Sequence, residues 1–169
     1  MAATGVYTNV FREKLARLGA GELNDATKVD LPILWFKVGE GGFNVQGNTK
    51  TPKVPDPTRT DLEAPQPMAD PASPADALGG FFQKRLDPLN VSIQGRDITV
   101  QCVLSAIEAG LDNSSRLLGQ PNGTPQLFEL GIFDGDANNG PDTMIAYCTF
   151  DEVTKNAGIQ VTINVTIKY

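Results

Sequence analysis

Residues 159–169, IQVTINVTIKY, carry the pattern that decides the fold. Six apolar or aromatic residues alternate there with five polar ones, from Ile159 to Tyr169 and without a break. Because successive side chains of a β-strand point to opposite faces, this alternation predicts a half-buried strand. A terminus held in a sheet is typical of a part that is fixed against its neighbours, and we expect that arrangement here.

Five further runs earlier in the chain have the composition of strands. They lie at residues 31–38, 91–93, 97–104, 126–133 and 143–150. The segments between the later runs are rich in Gly, Asn, Asp and Pro, as turns require. Strands that follow one another at short spacing favour antiparallel pairing. We therefore expect a mainly β protein, built as an antiparallel β-sandwich or sheet.

The N-terminal region predicts one short helix. Thr8 or Asn9 can cap its start, and Phe11, Leu15 and Leu18 then recur at i, i+4 and i+7 on one face. Such a helix is too short to be stable alone, so it must dock on the rest of the protein. Residues 1–46 thus supply this helix and the first strand. We expect them to form one domain with the β-strand body at residues 81–169.

Residues 47–80 differ in kind from the regions on either side. They hold seven of the twelve prolines, and apolar periodicity disappears. A segment of this composition cannot pack a core of its own and favours extended conformations. It is either a flexible loop or an ordered arm that lies across a neighbouring subunit. So long a loop is unusual inside a compact domain, which favours the extended arm.

Composition and charge exclude several classes of protein. The chain has 169 residues and a net charge of −6, and its Lys and Arg residues are scattered. Nucleic-acid binding relies on a basic stripe, so we expect no nucleic-acid partner. The N-terminal MAATGVYTNVFREK has no long apolar run, and no stretch has the length of a membrane-spanning helix. We expect no secretory signal, no membrane partner, and folding in a cytoplasm.

The residues of common catalytic and phosphate-binding motifs are missing from the sequence. It contains no histidine, which removes Ser-His and Cys-His catalysis and histidine metal sites. The run Gly39-Glu40-Gly41-Gly42 follows a strand, but no helix start follows it and it has no phosphate-binding Lys. This run predicts a plain turn.

One acidic segment resembles the start of a calcium-binding loop. Asp134, Asp136 and Asn138 have the spacing of its first ligands, but Asn139 replaces the sharp-turn Gly and Ile145 the final Glu. A hairpin turn between two strands explains the same residues with fewer assumptions, so we expect no metal there.

A second acidic pair, Asp151-Glu152, directly follows a predicted strand. Paired carboxylates cleave glycosides, but adjacent residues at a strand end point to opposite faces and do not form a site together. The sequence therefore offers no catalytic, cofactor-binding or metal-ligating residue, and we expect no enzyme and no cofactor.

The two cysteines, Cys102 and Cys148, both fall inside predicted strands. Free cysteines are often buried, so we interpret them as small core residues. The alternative is a disulfide between neighbouring strands or subunits, which requires Cα atoms within about 7 Å.

Several motifs follow one another in a recognisable order. They are TNVFREKLARL at residues 8–18, WFKVGEGG at 35–42, ITVQCVL at 98–104, ELGIFD at 129–134, IAYCTF at 145–150 and TK at 154–155. In this order and spacing the chain resembles the tail-collar fibre proteins and related baseplate or neck proteins of tailed bacteriophages. The resemblance leaves out the proline-rich segment and residues 105–124, and we expect an attachment module, or a small neck or baseplate component, and not a full-length fibre.

The resemblance implies a virion structural protein at the neck, collar or baseplate, made in the host cytoplasm. Its expected partners are copies of itself and other phage tail, neck or fibre proteins. A component of a phage-tail-like contractile injection system is a close variant. A module that binds a host-surface glycan is the alternative from another class, and Phe81 and Phe82 are its only adjacent aromatic pair outside predicted elements.

Overall fold

The computed structural model describes residues 2–10, 12, 33–65, 82–94, 97–106, 126–136, 140–155 and 158–167. These residues contain ten β-strands and a single-turn 3₁₀ helix, Pro88–Asn90. The strands are β1 (Ala2–Tyr7), β2 (Ile33–Gly39), β3 (Phe43–Gln46), β4 (Thr49–Pro52), β5 (Gln83–Arg85), β6 (Val91–Gln94), β7 (Asp97–Leu104), β8 (Gln126–Asp136), β9 (Gly140–Thr154) and β10 (Val161–Ile167).

Eight of these strands form one sheet, in the order β5-β2-β8-β9-β1-β10-β7-β6. β3 and β4 form a separate two-stranded hairpin. Every neighbouring pair in the large sheet is antiparallel except β1 and β10, which run parallel. The prediction of a mainly β protein is confirmed, and the wholly antiparallel sheet is corrected to a mixed one.

The large sheet curls so that both of its halves face one core. Phe36 and Ile132, from one half, belong to the same buried cluster as Val100 and Val165 from the other. Lys84 on the end strand β5 donates a 3.0 Å hydrogen bond to the carbonyl oxygen of Val103 on β7. A single curled sheet therefore encloses the core, and the predicted sandwich of two sheets is not confirmed.

Strand β10 behaves as its alternating sequence predicts. Ile163, Val165 and Ile167 are at most 1% exposed, whereas the residues between them are partly exposed. β10 pairs with β1 on one side and with β7 on the other, so it lies inside the sheet. The strand starts at Val161, and Ile159 before it is 48% exposed, so the predicted start was two residues too early.

The N-terminal region contributes a strand that its sequence did not predict. β1 lies between β9 and β10, with Gly5 opposite Cys148. Most of the predicted helix, at residue 11 and from residue 13 to Gly19 or Gly21, lies outside the described residues. The described residues contain no complete α-helix, although the Arg12 N–H donates to the Thr8 carbonyl at 3.1 Å. None of them belongs to a helix with the length and hydropathy of a membrane span.

The described half of the proline-rich segment packs on the chain's own sheet. We call residues 53–65 the strap. The Lys53 N–H donates to the Gly42 carbonyl at 2.9 Å, and the Thr149 hydroxyl donates to the Lys53 carbonyl at 2.6 Å. Further along, the Asn9 N–H donates to the Pro57 carbonyl at 2.7 Å. The predicted arm is thus not confirmed for residues 47–65, and residues 66–80 lie outside the described residues.

Phe82 belongs to the adjacent aromatic pair that a glycan-binding module would have to expose. It is 4% exposed and packs edge-on against Phe36, with ring centroids 6.0 Å apart. Phe82 is therefore a core residue, and Phe81 lies outside the described residues.

Candidate functional site

The most unusual residue of the sheet is Glu129, a carboxylate with 0% of its surface exposed. It lies on β8 beside a register irregularity between Leu127 and Glu129. Its neighbour Leu130 points into the main core, so Glu129 points to the opposite face. A buried charge is costly unless hydrogen bonds compensate it. The contacts of Glu129 therefore define the site.

The Glu129 carboxylate accepts four hydrogen bonds. Oε1 accepts from the N–H groups of Gly41 at 3.2 Å and Ala64 at 2.8 Å. Oε2 accepts from the N–H of Glu63 at 3.0 Å and the hydroxyl of Tyr147 at 2.8 Å. Three of these donors are backbone amides of the glycine run after β2 and of the strap. One side chain of β8 thus holds two separate segments of the chain against the sheet.

Tyr147 supports this arrangement from the neighbouring strand β9. Burial raises the pKa of its phenol, and the hydrogen bond to Glu129 raises it further. The phenol therefore keeps its proton and acts as a permanent donor. This chemistry suits a fixed structural contact and not a proton transfer near neutral pH.

An apolar cluster shares this outer face of the sheet with the carboxylate, which Tyr147 contacts. Its members are Trp35, Leu62, Phe133, Met144 and Tyr147. Leu62 belongs to the strap, is 5% exposed, and covers aromatic side chains that the sheet would otherwise present to water. The strap is thus anchored by both an apolar contact and the carboxylate.

Close side-chain packing explains why residue 131, in the ELGIFD motif, is a glycine. A Cβ added there would lie 2.7 Å from a ring atom of Phe133 and 2.9 Å from the sulfur of Met144. Only glycine leaves room for these two side chains to pack over the strand.

The glycine run after β2 lets the strap approach the sheet closely. A Cβ on Gly41 would lie 2.6 Å from the Cβ of Glu63 and 2.8 Å from the N of Ala64. Gly42 has a φ of +75°, in the left-handed region that favours glycine. The run is a turn, as predicted, and its N–H groups also bind carboxylates: Gly42 donates to Glu63 Oε2 at 3.2 Å.

Glu63 organises the charged groups of the strap. Partial burial opposes its ionisation, but hydrogen bonds from Lys53, Arg59 and the Gly42 N–H outweigh it and lower its pKa to about 2. The Lys53 Nζ lies 2.7 Å from Oε2, and the Arg59 guanidinium contacts Oε1. The same guanidinium lies 5.9 Å from the centre of the Tyr147 ring. These contacts tie the two ends of the strap together.

The strap leaves an open cavity between itself and Tyr147, with a volume of about 590 Å³. Its lining is mostly polar. The lining residues are Asn44, Lys53, Val54, Asp56, Thr58, Arg59, Thr60, Asp61, Leu62, Glu63 and Tyr147.

The acidic segment after ELGIF forms a hairpin connection. β8 and β9 pair as far as Asp136 and Gly140, and Asp134 Oδ1 accepts the N–H of Thr143 at 2.9 Å. Residues 137–139, with Asn138 and Asn139, lie outside the described residues. Across the described part of the chain, no three acidic, cysteine or histidine side chains come together as metal ligands.

The sequence predicts that Asp151 and Glu152 follow the strand. In the structure they lie within β9. The strand continues to Thr154, and both carboxylates are exposed. The polar composition of residues 151–154 hid this extension from a reading based on apolar alternation.

Both cysteines are free and buried, as core residues should be. Burial raises the pKa of Cys148 to about 12 and that of Cys102 well above its usual range. Both thiols face the main core, and they do not form a disulfide with each other.

Sequence reasoning overlooked Glu129 and Tyr147 as site residues, although both stand in quoted motifs. The available signal was the charge of Glu129 inside the apolar run QLFELGIF. A carboxylate at a strand position flanked by apolar residues is rarely buried without partners.

No family model matches the sequence, and comparisons with curated proteins and with solved structures gave no match.

Proposed function

We propose that this protein is a structural component of a bacteriophage tail, at the neck, collar or baseplate. It acts by assembly with copies of itself and with other tail, neck or fibre proteins, and without catalysis. It is made in the host cytoplasm and resides in the virion. A close variant of this proposal is a structural component of a phage-tail-like contractile injection system, which would also act by assembly.

The observation that carries the proposal is the set of hydrogen bonds on Glu129. The residues that meet there come from three motifs of the resemblance: Glu129 from ELGIFD, Tyr147 from IAYCTF, and Gly41 from WFKVGEGG. Their shared contacts fix the strap to the sheet. The motifs therefore stabilise one rigid body, which suits a subunit that is repeated in a symmetric assembly.

The short end strand β5 also supports assembly through specific surfaces. Exposed strand edges are a hazard for unspecific association. Here the end strand β5 has only three residues, and Lys84 on it bonds across to β7. Association through specific surfaces is then favoured over uncontrolled edge pairing.

Gold-labelled antibody against this protein, applied to purified tailed particles and viewed by electron microscopy, tests the proposal. We expect gold clustered at the neck or at the tail tip, which also distinguishes collar from baseplate. Unlabelled particles, with the protein present only in the infected-cell lysate, would contradict a place in the virion.

A further inference from the structure

We propose that the cavity between the strap and Tyr147 binds a neutral carbohydrate. Its volume of about 590 Å³ lies within the range of small-molecule sites, roughly 300–1,000 Å³. This inference is independent of the assembly role. Failed gold labelling leaves it standing, and a failed binding experiment leaves the assembly role standing.

The charges that line the cavity select against charged and apolar ligands. Two lining residues are cationic, Lys53 and Arg59, and three are anionic, Asp56, Asp61 and Glu63. A charged ligand of either sign meets groups of its own sign within the cavity. An apolar ligand would remove these groups from water without replacing their hydrogen bonds.

A neutral polyhydroxylated ligand avoids both penalties. Each hydroxyl can donate to a carboxylate and accept from an ammonium, guanidinium or amide group. Hydrogen bonds to charged groups are stronger than those between neutral groups. A neutral ligand of this kind can form hydrogen bonds to neighbouring cationic and anionic side chains at the same time. A charged ligand is repelled by one of the two.

Several lining groups have hydrogen-bonding capacity left over. The side chains of Asn44 and Thr60 are exposed and make no hydrogen bond to any residue in the described ranges. Asp56 accepts the Thr58 N–H and hydroxyl on Oδ1, and no described donor reaches its Oδ2. Val54, 90% exposed, adds an apolar surface for the C–H groups of a sugar ring.

The cavity wall is held in place before any ligand arrives. The Lys53–Glu63 ion pair closes the strap, and Leu62 fixes it in the apolar cluster beneath. The Thr149 hydroxyl bonds the Lys53 carbonyl from β9. A preorganised wall loses little conformational entropy on binding, which favours recognition of a weakly binding ligand such as a sugar.

Titration of the ¹⁵N-labelled full chain with maltotriose, lactose and triacetylchitotriose, followed by NMR, tests the proposal. At least one of these sugars should shift the amide signals of residues 53–63 in a saturable manner, and leave those of β10 unchanged. The double variant Asn44→Ala/Thr60→Ala should bind that sugar about tenfold more weakly, because it loses two hydrogen-bonding side chains.

The matched control is Ser92→Ala/Gln101→Ala, which also removes one hydroxyl and one amide. Both residues are exposed and belong to β6 and β7, and neither lines the cavity. This control should bind as the parent does, and the far-ultraviolet circular dichroism of both double variants should match that of the parent. The proposal is overturned if no sugar shifts residues 53–63, if the two double variants bind alike, or if inorganic phosphate binds the cavity more tightly than every sugar.

Discussion

Strand β10 and the strap are both ordered, but opposite kinds of interaction hold them. β10 lies between β1 and β7 and buries Ile163, Val165 and Ile167 in the main core. The strap buries one apolar side chain, Leu62, and is otherwise held by hydrogen bonds, several of them to Glu129, and by the charges around Glu63. Order in β10 comes from apolar area, and order in the strap comes from a few polar contacts.

Because of this difference, the strap should be able to lose its structure while β10 and the sheet stay folded. Apolar burial is distributed over many atoms, so losing β10 removes the core itself. Two strap amides, those of Glu63 and Ala64, bond to one carboxylate, so a single change there can loosen this part of the strap while the sheet remains folded. The variants below separate the two regions, from the largest expected effect to the smallest.

Val165→Asp should abolish folding. Val165 is 0% exposed and pairs with Ala3 on β1 and Val100 on β7. A carboxylate there has no charge partner among the core residues, and an unpaired buried charge costs more than about 4 kcal/mol, much of the total stability of a domain. Soluble yield and circular dichroism measure the loss. Gln101→Asp places the same charge on the exposed face of β7 and should stay folded; equal behaviour of the two variants would contradict the prediction.

Glu129→Gln should loosen the strap around Glu63 and Ala64 and keep the sheet. The amide nitrogen of Gln cannot accept the hydrogen bonds that one carboxylate oxygen accepts, so at least one strap or glycine-run N–H stays unpaired, at about 2–4 kcal/mol. Hydrogen exchange of the Glu63 and Ala64 amides should accelerate, while that of the Val165 amide changes less.

Tyr147→Phe is the graded comparison for Glu129→Gln. It removes the hydroxyl, one of the four donors to Glu129, and keeps the ring in the apolar cluster. Hydrogen exchange of the strap amides should accelerate here too, with about half the loss of free energy that Glu129→Gln causes. If exchange accelerated equally in the strap and in β10, the two regions would form one cooperative unit.

Gly41→Ala should loosen the strap by about 1–3 kcal/mol, because the added methyl group meets backbone and Cβ atoms of Glu63 and Ala64. The control is Gly5→Ala on β1, whose added Cβ has its nearest atom at 3.4 Å, close to ordinary contact. Urea unfolding, together with exchange of the Ala64 amide, measures the difference. If Gly41→Ala lowered the free energy of unfolding less than Gly5→Ala, the strap would have room for a methyl group at Gly41, and the prediction would be wrong.

The same contrast explains what the sequence could predict. Alternation in residues 159–169 and in ITVQCVL reports a sheet with one buried face, so β7 and β10 were located within two residues at each end. The residues of β1 and of the β3–β4 hairpin do not alternate clearly, and these strands were missed. The position of the strap depends on Glu129, which is 66 residues further along the chain than Glu63. No local pattern in the strap contains that partner.

The smallest expected effect is the pH dependence of the Glu63 ion pairs. The folded-state pKa of Glu63 is lowered from the ordinary 4.5 to about 2, so its contribution to stability is complete above pH 4.5 and is lost as the pH falls towards 2. Because Lys53 and Arg59 stay in contact with water, we expect a contribution of about 0.2–1 kcal/mol. The free energy of unfolding of the parent should exceed that of Glu63→Gln at pH 6 and approach it at pH 2. Salt at about 1 M, which screens charges beyond roughly 3 Å, should reduce the difference at pH 6. A difference that stayed constant from pH 6 to pH 2 would show that neutral hydrogen bonds, and not charge, close the strap.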